Sequence, residues 1–181
     1  RVHAGAQKAL ELILNNYPAQ FRGVLGTSLG GIFASTAAHY HKSIHAIFSI
    51  TAGTPISDVI VHSEQKILRE LRHQRAEKLN IKSAEEQIQK IRESFELEPM
   101  DLPSQHKQKR LGLSIALKDR VVPTLYQNKL KEFWNPDTLI ELNYDHFWGI
   151  VTTWLFHRYE ILRFFEKSRD YTLTQSEPSA H

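Results

Sequence analysis

The apolar residues of this 181-residue chain follow two patterns. Near-continuous apolar runs of strand length occur at residues 21–27, 44–50, 111–117 and 138–143. Between them, apolar positions recur three and four residues apart, which predicts helices over 4–15, 32–38, 64–80, 83–97, 123–133 and 148–167. Ala6, Leu10, Ile13 and Leu14 mark the first helix, and Asn15-Asn16-Tyr17-Pro18 stops it. Ala84, Ile88, Ile91 and Phe95 make one stripe over 83–97, and Ile150, Trp154, Ile161, Phe164 and Phe165 make the closing one. Strands that are apolar throughout and alternate with helices predict an α/β fold, with a mostly parallel sheet flanked by helices. Residues 56–110 are rich in Glu, Lys, Arg and Gln. They read as a helical insertion into a core formed by 1–55 and 111–168, because two short amphipathic helices bury little surface unless they lie on something. Residues 169–181 read as a polar, frayed tail.

The first strand runs into Gly26-Thr27-Ser28-Leu29-Gly30 and then at once into the small and apolar residues 32–38. Strand, sharp turn and helix in this order push the serine outward on a strained backbone. The expectation is that a side chain at Gly26 or Gly30 would collide where strand and helix cross. The N–H of Leu29, at the start of the helix, is expected to face the space before Ser28 Oγ and to serve as an oxyanion donor.

Composition is that of an ordinary globular chain, 41% hydrophobic and 24% charged, long enough for one substantial core. A formal net charge of +3 is weak evidence for an anionic partner. With no cysteine, disulfides and thiolate metal sites are excluded and the redox compartment is left open. No apolar run has the length of a membrane span. The first residue is Arg1 and the single methionine is Met100, so the expectation is a processed product or part of a longer polypeptide.

Reactive side chains of parallel sheets gather at the carboxyl ends of strands. Three predicted strands run into such residues: Ser28, Asp119 within Asp119-Arg120-Val121-Val122-Pro123, and His146 just before Trp148-Gly149. In this order and on these elements the chain resembles the α/β-hydrolase family, whose nucleophile, acid and histidine follow as Ser, Asp, His. The resemblance covers most of residues 4–167. It implies Ser28 as nucleophile, His146 as general base and then acid, and Asp119 as the carboxylate that fixes the imidazole tautomer. It implies a serine hydrolase acting on a small-molecule ester or related acyl bond through an acyl-enzyme, without metal or cofactor, with residues 56–110 as a cap or lid. In that family further strands precede the elbow and a second oxyanion donor follows one of them. An upstream part of the same protein, possibly as a separate chain, is therefore an implied partner.

Other readings stay open at this stage. Asp119 suits a helix cap and His146 a surface turn, and Asp58 is a reserve acid with Asp145 a weaker one. An acyltransferase, thioesterase or peptidase would use the same three residues. A non-catalytic module would instead bind a protein partner through the charged helices of 64–98. His39, His41 and His45 lie close in sequence but lack a carboxylate or cysteine to complete a metal site. The basic run Gln105 to Arg110 has no interleaved aromatics, which argues for a solvated loop over a nucleic-acid surface.

Overall fold

Strands β1 (Gly23–Thr27), β2 (Ala46–Ile50), β3 (Arg110–Ala116) and β4 (Thr138–Leu142) lie side by side in their chain order, all parallel. Val24 stands beside Ile47, Ile47 beside Leu111, and Leu113 beside Leu139. This comes from a computed structural model that describes residues 2–95, 98, 100 and 109–176. Eight helices accompany the sheet among the described residues: α1 (Val2–Asn16), α2 (Leu29–Tyr40), α3 (Ile56–His62), α4 (Lys66–Leu79), α5 (Ala84–Arg92), α6 (Thr124–Trp134), α7 (His146–Phe156) and α8 (Arg158–Ser176).

Successive strand residues point to opposite faces, so a strand that is apolar throughout needs cover on both sides. Ile47, Leu111, Leu113 and Ile115 meet Ile32 and Ala38 of α2 and Leu130 and Trp134 of α6 on one face. Ala46, Phe48, Ile50, Ile140 and Leu142 meet Ile161 and Phe164 of α8 on the other. There Phe48 and Phe164 stack edge to face with ring centroids 5.3 Å apart.

Several local outcomes differ from the periodicity. Helix α3 was not expected. It follows Pro55, and its Ile56, Val59 and Val61 are buried. The closing segment is two helices broken at His157, and the second runs to Ser176 where the pattern had ended at 167. In α1, Leu10 packs on the core while Ile13 is exposed. Helix α5 stops at Arg92, and Phe95 beyond it still packs against the core. Helix α4 has no buried residue and is held by polar contacts. Arg72 Nη1 donates to the carbonyls of Ile60 and Ser63 (2.9 and 2.7 Å), and Gln87 Nε2 donates to the Arg72 carbonyl (3.1 Å). The expected break at 99 and 101–103, residues 105–108 of the basic run, the His39 side chain and the last five residues lie outside the described residues.

The two described members of that basic run face inward. Arg110 pairs with Asp137 (3.1 Å) and lies over the Tyr171 ring. Lys109 is buried and donates from Nζ to the carbonyls of His41 (3.2 Å) and Ile44 (2.5 Å). Burial lowers the Lys109 ammonium to about 8 from 10.5. Between these values the unfolded chain binds the proton and the folded one does not, so stability rises with pH; below about 8 the full desolvation cost is present. The urea midpoint is expected to climb from pH 8 to pH 10, and this rise is expected to disappear in Lys109→Met.

Candidate active site

Ser28 follows the last residue of β1 and precedes the first of α2. Its backbone sits at φ 54°, ψ −122°, a conformation costly for any residue but glycine. The turn is held by Ser28 N–H on the Ile50 carbonyl (2.7 Å) and by Gly31 and Ile32 N–H on the Ser28 carbonyl (2.9 and 3.3 Å). The N–H of Leu29 donates to no acceptor among the described residues, as befits the first residue of a helix.

The glycine expectation holds at one position and fails at the other. A Cβ on Gly26 would run into the main chain of Gly30 and Gly31. One on Gly30 would meet nothing within 4 Å, because that face of α2 turns away from the sheet. The close approach falls instead on Gly31, where a Cβ would lie 2.9 Å from Ala52 Cβ and 3.3 Å from Ser49 Cβ.

Asp119 lies in the turn after β3, with no exposed side-chain surface. Its Oδ1 accepts from the N–H groups of Val121 (2.8 Å) and Val122 (2.9 Å), so the local turn role and the site role coexist on one carboxylate. Its Oδ2 accepts from Gln127 Nε2 (2.8 Å) and from His146 Nδ1 (2.6 Å). Four donors compensate the buried charge. With Nδ1–H directed at a carboxylate, the neutral imidazole presents Nε2 as its acceptor.

His146 opens α7, two residues earlier than the helix start expected at Trp148. Asp145 is the cap of that helix, its Oδ1 accepting from Trp148 N–H (2.9 Å), while the carboxylate on His146 Nδ1 is that of Asp119. Asp58 is engaged away from His146. Its Oδ2 takes the Ser57 hydroxyl (2.9 Å) and Arg92 Nη2 (3.4 Å) inside the insertion. His45 accepts the Arg22 N–H at Nδ1 (3.1 Å) and stacks on Phe21. Burial, with the charges of Lys109 and Arg22, holds its pKa below the usual value. No group of three His, Cys, Asp or Glu arranged for a metal occurs among the described residues.

Gln127 is the neighbour of the candidate acid that sequence reasoning missed. It is wholly buried in α6, donates to Asp119 and to the Val122 carbonyl (2.7 Å), and accepts from Ala116 N–H (3.0 Å). A glutamine amid Tyr126, Leu130 and Trp134 on the buried side of α6 was the available signal.

The three residues named from the sequence thus stand at the carboxyl end of one parallel sheet, and two of them, Asp119 and His146, are hydrogen-bonded. Ser28 Oγ makes no hydrogen bond to the imidazole. Solved structures are similar to this chain in fold. An esterase of Pyrococcus furiosus superposes with a TM-score of 0.61 at 15% identity, covering 91% of this chain and 61% of its own. The fold is α/β-hydrolase-like. An α/β-fold hydrolase of Bacillus anthracis (TM-score 0.54, 14% identity, 92% and 73% covered) and a monoacylglycerol lipase of Paleococcus ferrophilus (0.50, 17%, 91% and 75%) are similar in the same way. No family model and no curated protein matches the sequence. The chain spans about 61% of the length of the Pyrococcus esterase.

Two substitutions test the α/β-hydrolase-like turn. Gly31→Ala is expected to destabilise by about 1–3 kcal/mol through overpacking, whereas Gly30→Ala gains up to about 1 kcal/mol from helix propensity; urea unfolding distinguishes them. Gln127→Leu strands Ala116 N–H and takes a donor from Asp119, with an expected loss of about 2–4 kcal/mol in the same assay.

Proposed function

We propose that this chain carries the catalytic residues of a serine hydrolase that cleaves an ester or related acyl bond through an acyl-enzyme. The observation that supports it most is the 2.6 Å bond between His146 Nδ1 and a fully buried Asp119, at the sheet edge where Ser28 stands on a strained turn. A serine hydroxyl is a weak nucleophile near neutral pH and needs a base to take its proton. His146 Nε2 has the free lone pair for this, and Asp119 stabilises the imidazolium as it forms. Serine–histidine hydrogen bonds are often long in unliganded sites and tighten with substrate bound.

In this reading Ser28 Oγ attacks the acyl carbon while His146 takes the proton, and the Leu29 N–H binds the oxyanion. Collapse expels the leaving group, which receives the proton from His146. A water molecule, deprotonated by the same imidazole, then attacks the acyl-enzyme, and Ser28 Oγ leaves with the proton that His146 returns to it. These residues supply nucleophile, base and acid without a metal or cofactor.

Large exposed apolar side chains adjoin two of the three residues in sequence: Leu29 next to Ser28, Phe147 and Trp148 next to His146. They suit an apolar small-molecule acyl substrate. The insertion would act as a cap, since Glu64 N–H donates to the Arg120 carbonyl (2.8 Å) and Val59 packs with Val122 and Tyr126, directly on the acid loop. The reading extends to an upstream stretch of polypeptide, on the same or a separate chain. It would dock along the side of β1 that pairs with no described strand and supply a second N–H donor. Losing one such donor costs roughly 10²–10³-fold in rate. No helix among the described residues is long and apolar enough to cross a membrane.

The test is hydrolysis of short and long p-nitrophenyl esters by the full polypeptide, with fluorophosphonate labelling followed by mass. Ser28→Ala is expected to abolish both. Asp119→Asn, which favours the wrong imidazole tautomer, is expected to slow turnover by up to about 10⁴-fold. Unchanged turnover in Ser28→Ala removes the proposal.

A further inference from the structure

Among the described residues, four other than glycine have positive φ: Ser28 (54°), Thr51 (50°), Asn80 (52°) and Asn135 (43°). Asn80 and Asn135 close α4 and α6 as left-handed caps, a position that suits asparagine. Ser28 is the elbow already described. Thr51 ends no helix, is fully buried, and is β-branched, which makes the left-handed region least tolerable. Such a conformation persists only where the surroundings impose it.

Those surroundings are the seat of α7. Thr51 N–H donates to the Ser114 carbonyl (2.8 Å), fastening the end of β2 to β3. A methyl built on Gly149 would stand 3.6 Å from Thr51 Cγ2 and 2.7 Å from Ala116 Cβ, so the first turn of α7 rests on these two residues. One turn further, Thr153 Oγ1 lies 2.8 Å from Ser114 Oγ. Helix α7 is thus seated over β3 and the residue that follows β2 although it comes after β4, and this draws His146 back to the turn after β3, where it meets Asp119. The Thr51 hydroxyl is buried with no hydrogen-bond partner among the described residues, so the side chain serves through its shape.

We propose that Thr51 is a positioning residue for His146. Its left-handed backbone turns Cγ2 against Gly149 and sets the height at which α7 carries the imidazole toward Ser28. This rests on the hydrolase reading of Ser28 and His146.

Thr51→Val and Thr51→Gly in the full polypeptide separate shape from strain. Valine keeps the branched shape and drops only the unpaired hydroxyl, so labelling of Ser28 by a fluorophosphonate is expected within twofold of the parent. Glycine removes both the strain and the methyl, and labelling is expected to slow at least tenfold. The downfield proton resonance of His146 Nδ1, identified by its absence in His146→Gln, is expected to shift or broaden in the glycine variant only. A glycine variant that labels within twofold of the parent overturns the proposal, as does a valine variant as slow as the glycine one. Should glycine prevent folding, Thr51→Ala, which removes the same methyl, is read by the same criteria. If the parent itself takes no label, the hydrolase reading has failed separately. The resonance then decides: an unchanged signal in Thr51→Gly overturns the positioning role, and a shifted or broadened one supports it.

Discussion

A carboxylate without solvent is tolerable only when every lone pair it exposes is met, and Asp119 shows how much structure that demands. Two of its donors are backbone groups of its own turn, one is a side chain from the helix that follows, and one is the histidine from beyond the next strand. Three successive segments of the chain are thereby committed to one geometry. Removing any donor leaves a buried charge short of a partner, so the turn after β3, helix α6 and the start of α7 keep their relative places.

The nucleophile side is organised by contact rather than charge. Ser28 is held at its costly φ because β1 and α2 approach so closely that Gly26 and the backbone of Gly30 and Gly31 touch. Packing against Ala52 and Ser49 then fixes α2 over the end of β2. The two halves of the candidate site therefore rest on one strand, β2. Its last residue, Ile50, holds the elbow, and the next residue, Thr51, stands beside Gly149 of the histidine helix.

The strands were legible because parallel strands covered on both faces read as unbroken apolar runs, as residues 44–50 and 111–117 do. The placement of Ser28, Asp119 and His146 just beyond strand ends was legible because each follows such a run. Helix α3 was not, since a seven-residue helix beginning after a proline offers too few turns for a period to emerge. The break at His157 was hidden because apolar residues continue across it. Gly30 and Gly31 could not be told apart, because which glycine faces the sheet depends on the entry angle of α2. Gln127 was invisible for a related reason: a buried polar residue is explained only by partners brought in from elsewhere in the chain, and its neighbours in sequence say nothing of Asp119.

The parallel direction of β2 and β3 has one more consequence. The chain leaves β2 at one end of the sheet and enters β3 at the opposite end, where Lys109 grips the His41 and Ile44 carbonyls. The segment between them is therefore a crossover that must climb the whole height of the sheet, and no hairpin can replace it. Evolution or an engineer can lengthen that bridge, decorate it or exchange its helices, but cannot trim it to a tight turn. Sequence can drift through this stretch, while a minimum length is set by the direction of the strands it joins.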